Sequence, residues 1–163
     1  MKRIPPKKGQ ESVWDYPRPP ALQPVSKHLT VVFAGKTIAS SNRAYRILET
    51  SHPPVYYMPL EDVDTDVLKP HPSKSTACEF KGRAVYWDLE LKDQFSPQAA
   101  WSYPSPKKAF AAIKDHVAFY ASKVDACYVD GEQVKSQEGD FYGGWITSDI
   151  VGPFKGGKGT WGW

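Results

Sequence analysis

The sequence predicts a mainly β fold, β-rich α+β in class, with one clear helix near residues 106–120. Three observations carry this. Aromatic residues make up 13% of the chain and cluster in short segments beside Pro and Gly, as strands joined by tight turns do. The stretch Arg83–Leu91 alternates, setting Val85, Trp87, Leu89 and Leu91 on one face and Tyr86, Asp88 and Glu90 on the other. Turn signals at Ala34-Gly35 and Asp130-Gly131 each follow a short β-branched or apolar run. At 163 residues the chain fits one domain that buries a core without staples.

Taken in order, residues 1–13 read as a solvated tail. Residues 14–28 read as an extended arm, because Pro17, Pro19, Pro20 and Pro24 favour polyproline II. Trp14 and Tyr16 are costly on a free linker, so the arm is expected to lie on the body or on a second copy, which would make a homodimer. A single β-rich domain then spans 29–163. Leu29–Phe33 and Thr37–Ala39 form its first hairpin. Arg43–Glu49 fits both helical and strand periods; the rigid Pro53-Pro54 beyond it favours a strand. Val55–Met58 is the next strand. Glu61, Asp62, Asp64 and Asp66 read as a solvated edge or helical turn, since a calcium loop needs a turn glycine and a terminal Glu at fixed offsets. Pro70–Ser75 reads as a loop, and Ala99–Pro104 as an aromatic-rich piece after the alternating strand. Ser105 suits an N-cap and Pro106 a first turn; Phe110, Ile113, Val117 and Tyr120 then mark one buried stripe of the helix. Val124–Val129 is a strand. From Phe141 to Trp163 aromatics alternate with glycine, and Phe80-Lys81-Gly82 recurs as Phe154-Lys155-Gly156.

Charge and cysteine usage exclude several classes. The net charge is +3, and Lys2, Arg3, Lys7 and Lys8 supply four of the positive charges near the N-terminus. The body is close to neutral, which disfavours a nucleic-acid binder. No window approaches the ~18 apolar residues of a membrane helix. Cys78 and Cys127 make no disulfide framework, and Pro5, Pro6 and Gly9 interrupt any apolar signal core, so a cytoplasmic protein is expected. Without a Cys-x-x-Cys pair or clustered histidines, neither a metal nor another cofactor is called for. Gly152 and Gly157-Lys158 match the start of a phosphate loop, but Gly159 stands where the hydroxyl belongs and no helix follows.

The densest chemistry lies in Glu49–Pro59, which sets Ser51, His52 and Tyr57 beside stiff prolines. His52, held between Ser51 and Pro53, suits either acid–base work or the tying of a loop to a carbonyl. Cys78 is the candidate nucleophile, with Lys81 near enough in sequence to favour its thiolate and His52 or His71 as base. The alternative is a small buried hydrophobe. Tyr56, Tyr57, Tyr86, Trp101, Tyr142 and Trp145 are candidates for the walls, although Tyr56 and Tyr57 cannot face the same way on one strand. The expected site comprises Ser51, His52, Tyr57, Thr76, Cys78, Lys81, Trp101 and Trp145. Its ligand is an unknown small molecule, anionic if Lys81 meets it.

The motifs Asp15–Pro19, Glu49–Tyr57, Cys78–Gly82, Ala100–Pro104, Phe141–Thr147 and the Gly152–Trp163 stretch resemble those of domain of unknown function 427. The resemblance spans roughly 14–163. It implies an antiparallel barrel or tent of β-sheets with few helices. The family is sometimes labelled nucleotidyltransferase-like, a label that no motif in this chain supports. Three functions are thus in view: a small-molecule-binding or enzymatic domain, a non-catalytic interaction or self-association module, and, on the label alone, nucleotide transfer.

Overall fold

The computed structural model describes residues 1–78, 80–139 and 141–163. In chain order the strands are β1 (Glu11–Ser12), β2 (Ala21–Pro24), β3 (Leu29–Phe33), β4 (Lys36–Ser41), β5 (Tyr45–Leu48), β6 (Val55–Pro59), β7 (Leu68–Cys78), β8 (Gly82–Leu91) and β9 (Gln94–Ser102). They continue with β10 (His116–Phe119), β11 (Ala126–Val129), β12 (Glu132–Gln133), β13 (Lys135–Ser136), β14 (Trp145–Ile146) and β15 (Ile150–Val151). Helical segments among the described residues are short 3-10 turns.

The strands form a seven-stranded antiparallel sheet, ordered β2-β5-β6-β10-β9-β8-β7, and a four-stranded one, β12-β11-β3-β4. Two small ribbons, β1-β15 and β13-β14, complete the fold. Neither large sheet closes on itself, so the layout is tent-like sheets and not a barrel. The expected hairpins are present. Ala34 and Gly35 both take positive φ between β3 and β4, as do Asp130 and Gly131 between β11 and β12, the twist-matched turn for a two-residue loop.

The large sheet is covered on both faces, and strand alternation divides its residues between two clusters. One face packs against the four-stranded sheet: Tyr56, Met58, Val117 and Phe119 meet Leu29, Val31, Phe33, Ile38 and Cys127. The opposite face gathers Ile47, Tyr57, Ala84, Tyr86, Trp101, Ala118 and Tyr120. On β8 the expected alternation holds: Trp87, Leu89 and Leu91 pack with the first cluster, and Ala84 and Tyr86 with the second. A bulge shifts the register with β9 between Trp87 and Leu89. Asp88 is buried at that bulge. Its carboxylate accepts the Gln98 N–H at 2.8 Å and meets His71 Nδ1 at 2.7 Å, while the Gln98 amide reaches His71 Nε2 at 3.1 Å. Both His71 nitrogens are therefore spent on locking the bulge.

The helix expected over 106–120 is replaced by a 3-10 segment, Lys108–Ile113, followed by strand β10. Phe110, Ile113, Val117 and Tyr120 are all buried, yet Val117 faces one cluster and the other three face the second. The vacant slot between β6 and β9 takes His116–Phe119 as a strand, so sheet pairing overrides the helical spacing. Pro70–Ser75, expected as a loop, belongs to β7, where pairing with β8 is interrupted between Pro70 and Ser75.

The N-terminal segment lies along its own chain. β2 pairs with β5, and β1 pairs in parallel with β15. Val13 is fully buried, and Trp14 Nε1 donates to the Pro153 carbonyl at 2.9 Å. Tyr16 donates to Glu11, which also holds Arg46 at 2.6 Å. The acidic run forms two 3-10 turns, Leu60–Asp62 and Thr65–Val67. Asp62 binds Arg43 and Asp64 binds Lys36, as expected of a solvated structural edge.

Trp145 is the largest fully buried side chain. It lies against Tyr56 with ring centroids 5.2 Å apart, and its Nε1–H donates to the Phe119 carbonyl at 3.0 Å. Removing it empties a large volume and takes that donor from the Phe119 carbonyl. Trp145→Ala should cost about 3–5 kcal/mol in urea denaturation; a loss under about 1 kcal/mol would contradict this packing.

Candidate functional site

The turn at Glu49–Pro54 is assembled from distant parts of the chain. Ser51 has φ +73°, in the left-handed region that non-glycine residues rarely enter. Its N–H donates to the Val13 carbonyl at 3.0 Å, and its carbonyl accepts the Lys155 N–H at 2.8 Å. The His52 N–H closes the turn on the Glu49 carbonyl at 3.0 Å, and the Pro54 carbonyl accepts the Trp145 N–H at 2.8 Å.

Beside this turn, on the second face of the large sheet, lies a cavity of about 290 Å³. β6, β8 and β9 contribute Tyr57, Tyr86 and Trp101. The end of β7 and the residues after it contribute Thr76, Cys78, Phe80 and Lys81. Tyr103 and Tyr120 complete the aromatic wall, the Glu49–Pro54 turn adds Glu49 and His52, and the C-terminal segment adds Lys155.

A strap, described over residues 137–139 and 141–144, covers one side. Gln137 and Gly144 hold it closed through Gln137 N–H to the Gly144 carbonyl at 3.1 Å and Gly144 N–H to Gln137 Oε1 at 3.2 Å. Gln137 Nε2 donates to the Lys155 carbonyl at 2.7 Å, joining the strap to the C-terminal segment. The strap crosses the Trp101 indole at Gly143, where any Cβ would overlap the ring. This close approach, rather than left-handed backbone, is what requires the glycine.

The polar groups are ordered by burial. Trp101 Nε1–H donates to the Tyr57 hydroxyl oxygen at 3.3 Å, and Thr76 and Tyr86 share a hydrogen bond of 2.9 Å. Burial pushes the Tyr57 and Tyr103 phenols up, so both stay protonated. His52 is 8% exposed, and its Nδ1 lies 3.0 Å from the Thr50 carbonyl. A carbonyl only accepts, so Nδ1 carries the proton and Nε2 keeps its lone pair. Burial holds the ring below its ordinary 6.5, partly offset by that carbonyl. The Lys81 ammonium makes no ion pair or hydrogen bond among the described residues. Lys155 Nζ lies 5.5 Å from the Tyr142 ring centre and 3.3 Å from the Trp163 main-chain oxygen.

Six of the eight expected site residues, His52, Tyr57, Thr76, Cys78, Lys81 and Trp101, line this one cavity. Ser51 and Trp145 do not. Ser51 is sealed in the turn, its hydroxyl without a partner among the described residues, and Trp145 packs in the first core cluster. His71 is committed to Asp88 and does not line the cavity. Tyr103, Tyr120 and Lys155 were not among the expected residues. A signal for Lys155 existed: the repeated Phe-Lys-Gly puts both its lysines, 81 and 155, on the same cavity. Gly156 N–H and Thr160 N–H close on Thr160 Oγ1 and the Gly157 carbonyl, so these two N–H groups are not presented to a phosphate. No group of three or more His, Cys, Asp or Glu among the described residues is placed to hold a metal ion. No helix among them is long and apolar enough to cross a membrane.

The sequence profile described as Domain of unknown function (DUF427) matches residues 21–130. The chain belongs to this family. The DUF427 match is narrower than the resemblance read over 14–163: it includes β2–β11 and all six of those cavity residues, and ends before the strap and Lys155. Glu79, within the resembling Cys78–Gly82 motif, lies outside the described residues. Comparison with curated proteins gives no match.

Because His52 is held below 6.5, it is neutral in both folded and unfolded chains above that pH and has no effect on stability there. As pH falls below 6.5 the unfolded chain takes up the proton first, and the folded state loses stability until the folded value is passed. Nitrogen-15 NMR should show the Nδ1–H tautomer at pH 7 and a midpoint under 6.5. His52→Gln should remove that part of the acid-side loss. A midpoint at or above 6.5 would contradict the assignment.

Proposed function

We propose that the cavity binds a small monoanion with a flat, partly apolar body. The observation that carries this is the Lys81 ammonium, without an ion pair or hydrogen bond among the described residues, on an otherwise largely aromatic wall. Among the described lining residues, Lys81 and Lys155 oppose the single carboxylate of Glu49 with His52 neutral, leaving one net positive charge. A charge-assisted hydrogen bond to an anion is worth roughly 1.5–3 kcal/mol, and the rings supply the apolar contact area. The volume of about 290 Å³ suits a molecule near one ring in size.

Nucleotide transfer draws less support, because one net positive charge is a poor match for a polyphosphate. Self-association through the N-terminal arm also draws less, since β2, Trp14 and Tyr16 are spent on contacts within the chain. The two free thiols suit a cytoplasmic setting.

Calorimetry with benzoate and with neutral benzyl alcohol tests the reading. Benzoate should bind about tenfold tighter or better, and Lys81→Met should erase the difference. Equal affinities in the unmodified protein, or no binding of either probe, would overturn it.

A further inference from the structure

Binding alone leaves the Cys78 thiol without a use. Cys127 is sealed in the first core cluster, where burial pushes its thiol up and makes it inert. Cys78 is free, only partly buried, and on the cavity wall with Lys81 and Lys155. An anion drawn to those ammonium groups arrives beside a thiol. His52 is more than nine-tenths buried, lines the same cavity, and has an Nε2 without a hydrogen-bond partner among the described residues. Tyr103 supplies a phenol that stays protonated. It lies close enough to Cys78 for a thiolate there to push its ionisation further up. A thiol, a proton acceptor, a neutral donor and an anion anchor thus share one cavity.

We infer that Cys78 is the nucleophile of this site and that the ligand is a small carboxylate with an electrophilic carbon next to the carboxyl group, a 2-oxo acid by class. The inference rests on the anion-binding reading above. In the step, Sγ gives up its proton towards the His52 lone pair and attacks the carbonyl carbon. A C–S bond forms and the C=O π pair moves to oxygen, which Tyr103 hydrogen-bonds. That oxygen then takes up the one proton that Sγ released. The product is a hemithioketal, formed reversibly, and no oxidant or reductant enters the balance.

Iodoacetate carries its electrophilic carbon at the same position, and iodoacetamide is its neutral counterpart. With either, the C–S bond forms as iodide leaves with the C–I pair and the thiol proton is released. Peptide-mapped mass spectrometry of the full chain should show Cys78 modified and Cys127 spared. The iodoacetate-to-iodoacetamide rate ratio should exceed that of glutathione by about tenfold and saturate with iodoacetate. Lys81→Met and Lys155→Met should each move the ratio towards the glutathione value. A native Cys78 inert to both reagents, or a ratio equal to that of glutathione, overturns the inference. Benzoate binding to Cys78→Ser separates the two readings. Retained affinity alongside a failed alkylation test removes the nucleophile and leaves the anion site, whereas loss of binding in the unmodified protein removes both.

Discussion

The architecture of the cavity depends on the main chain of Ser51. Held at positive φ, it directs its N–H to Val13 and its carbonyl to Lys155, so one segment before it and one far beyond it in the chain are fixed to one turn. A left-handed serine costs roughly 1–2 kcal/mol against glycine, and its sealed hydroxyl has no partner among the described residues to offset that. The turn returns this cost as position. His52 is aimed by its bond to Thr50, Trp145 is hung from Pro54, and Lys155 is brought to the cavity wall from near the end of the chain. Its proline neighbours restrict the backbone on the C-terminal side, which keeps the arrangement from relaxing.

The second constraint is the two-sided sheet. A strand offers alternate residues to opposite faces, and here both faces are apolar destinations. Tyr56 goes to the core and stacks on Trp145, while Tyr57, one residue on, goes to the cavity and accepts from Trp101. The same division places Ala100 and Trp101, or Val117 and Ala118, on different sides. The cavity is thus what remains where the second cluster is built from large rings, with the Glu49–Pro54 turn, the strap and the C-terminal segment set around it. Rings that cannot interpenetrate leave space that aliphatic side chains would fill.

Much of this was legible from residue order, for physical reasons particular to each stretch. Val55–Pro59 and Leu29–Phe33 show β-branched or aromatic residues at strand spacing, and the Gly-bearing turns mark their hairpins. The clustering of His52, Tyr57, Cys78, Lys81 and Trp101 followed from chemistry concentrated in segments too polar or too aromatic for plain connection. What stayed hidden depended on tertiary demand. His116–Phe119 carries helical spacing but fills a vacancy between two strands, which no local pattern announces. The burial of Asp88 on β8 depends on a bulge whose lock, Asp88 with His71 and Gln98, joins residues from three strands. Ser51 was placed in the site by its neighbours, whereas its structural role lies in its backbone, to which side-chain reasoning is blind.

The central claim is that the Ser51 turn rigidly joins the N-terminal segment, the sheet and the C-terminal segment around the cavity. Native-state hydrogen exchange on the Ser51, Trp145 and Lys155 amides tests it most directly, since each donates one of the bonds that make the junction or hang from it. The account predicts that all three exchange slowly and together, by an opening close in free energy to global unfolding. Fast exchange at Lys155, at the rate of an exposed loop while Trp145 stays protected, would mean that the C-terminal wall is not held and would contradict it.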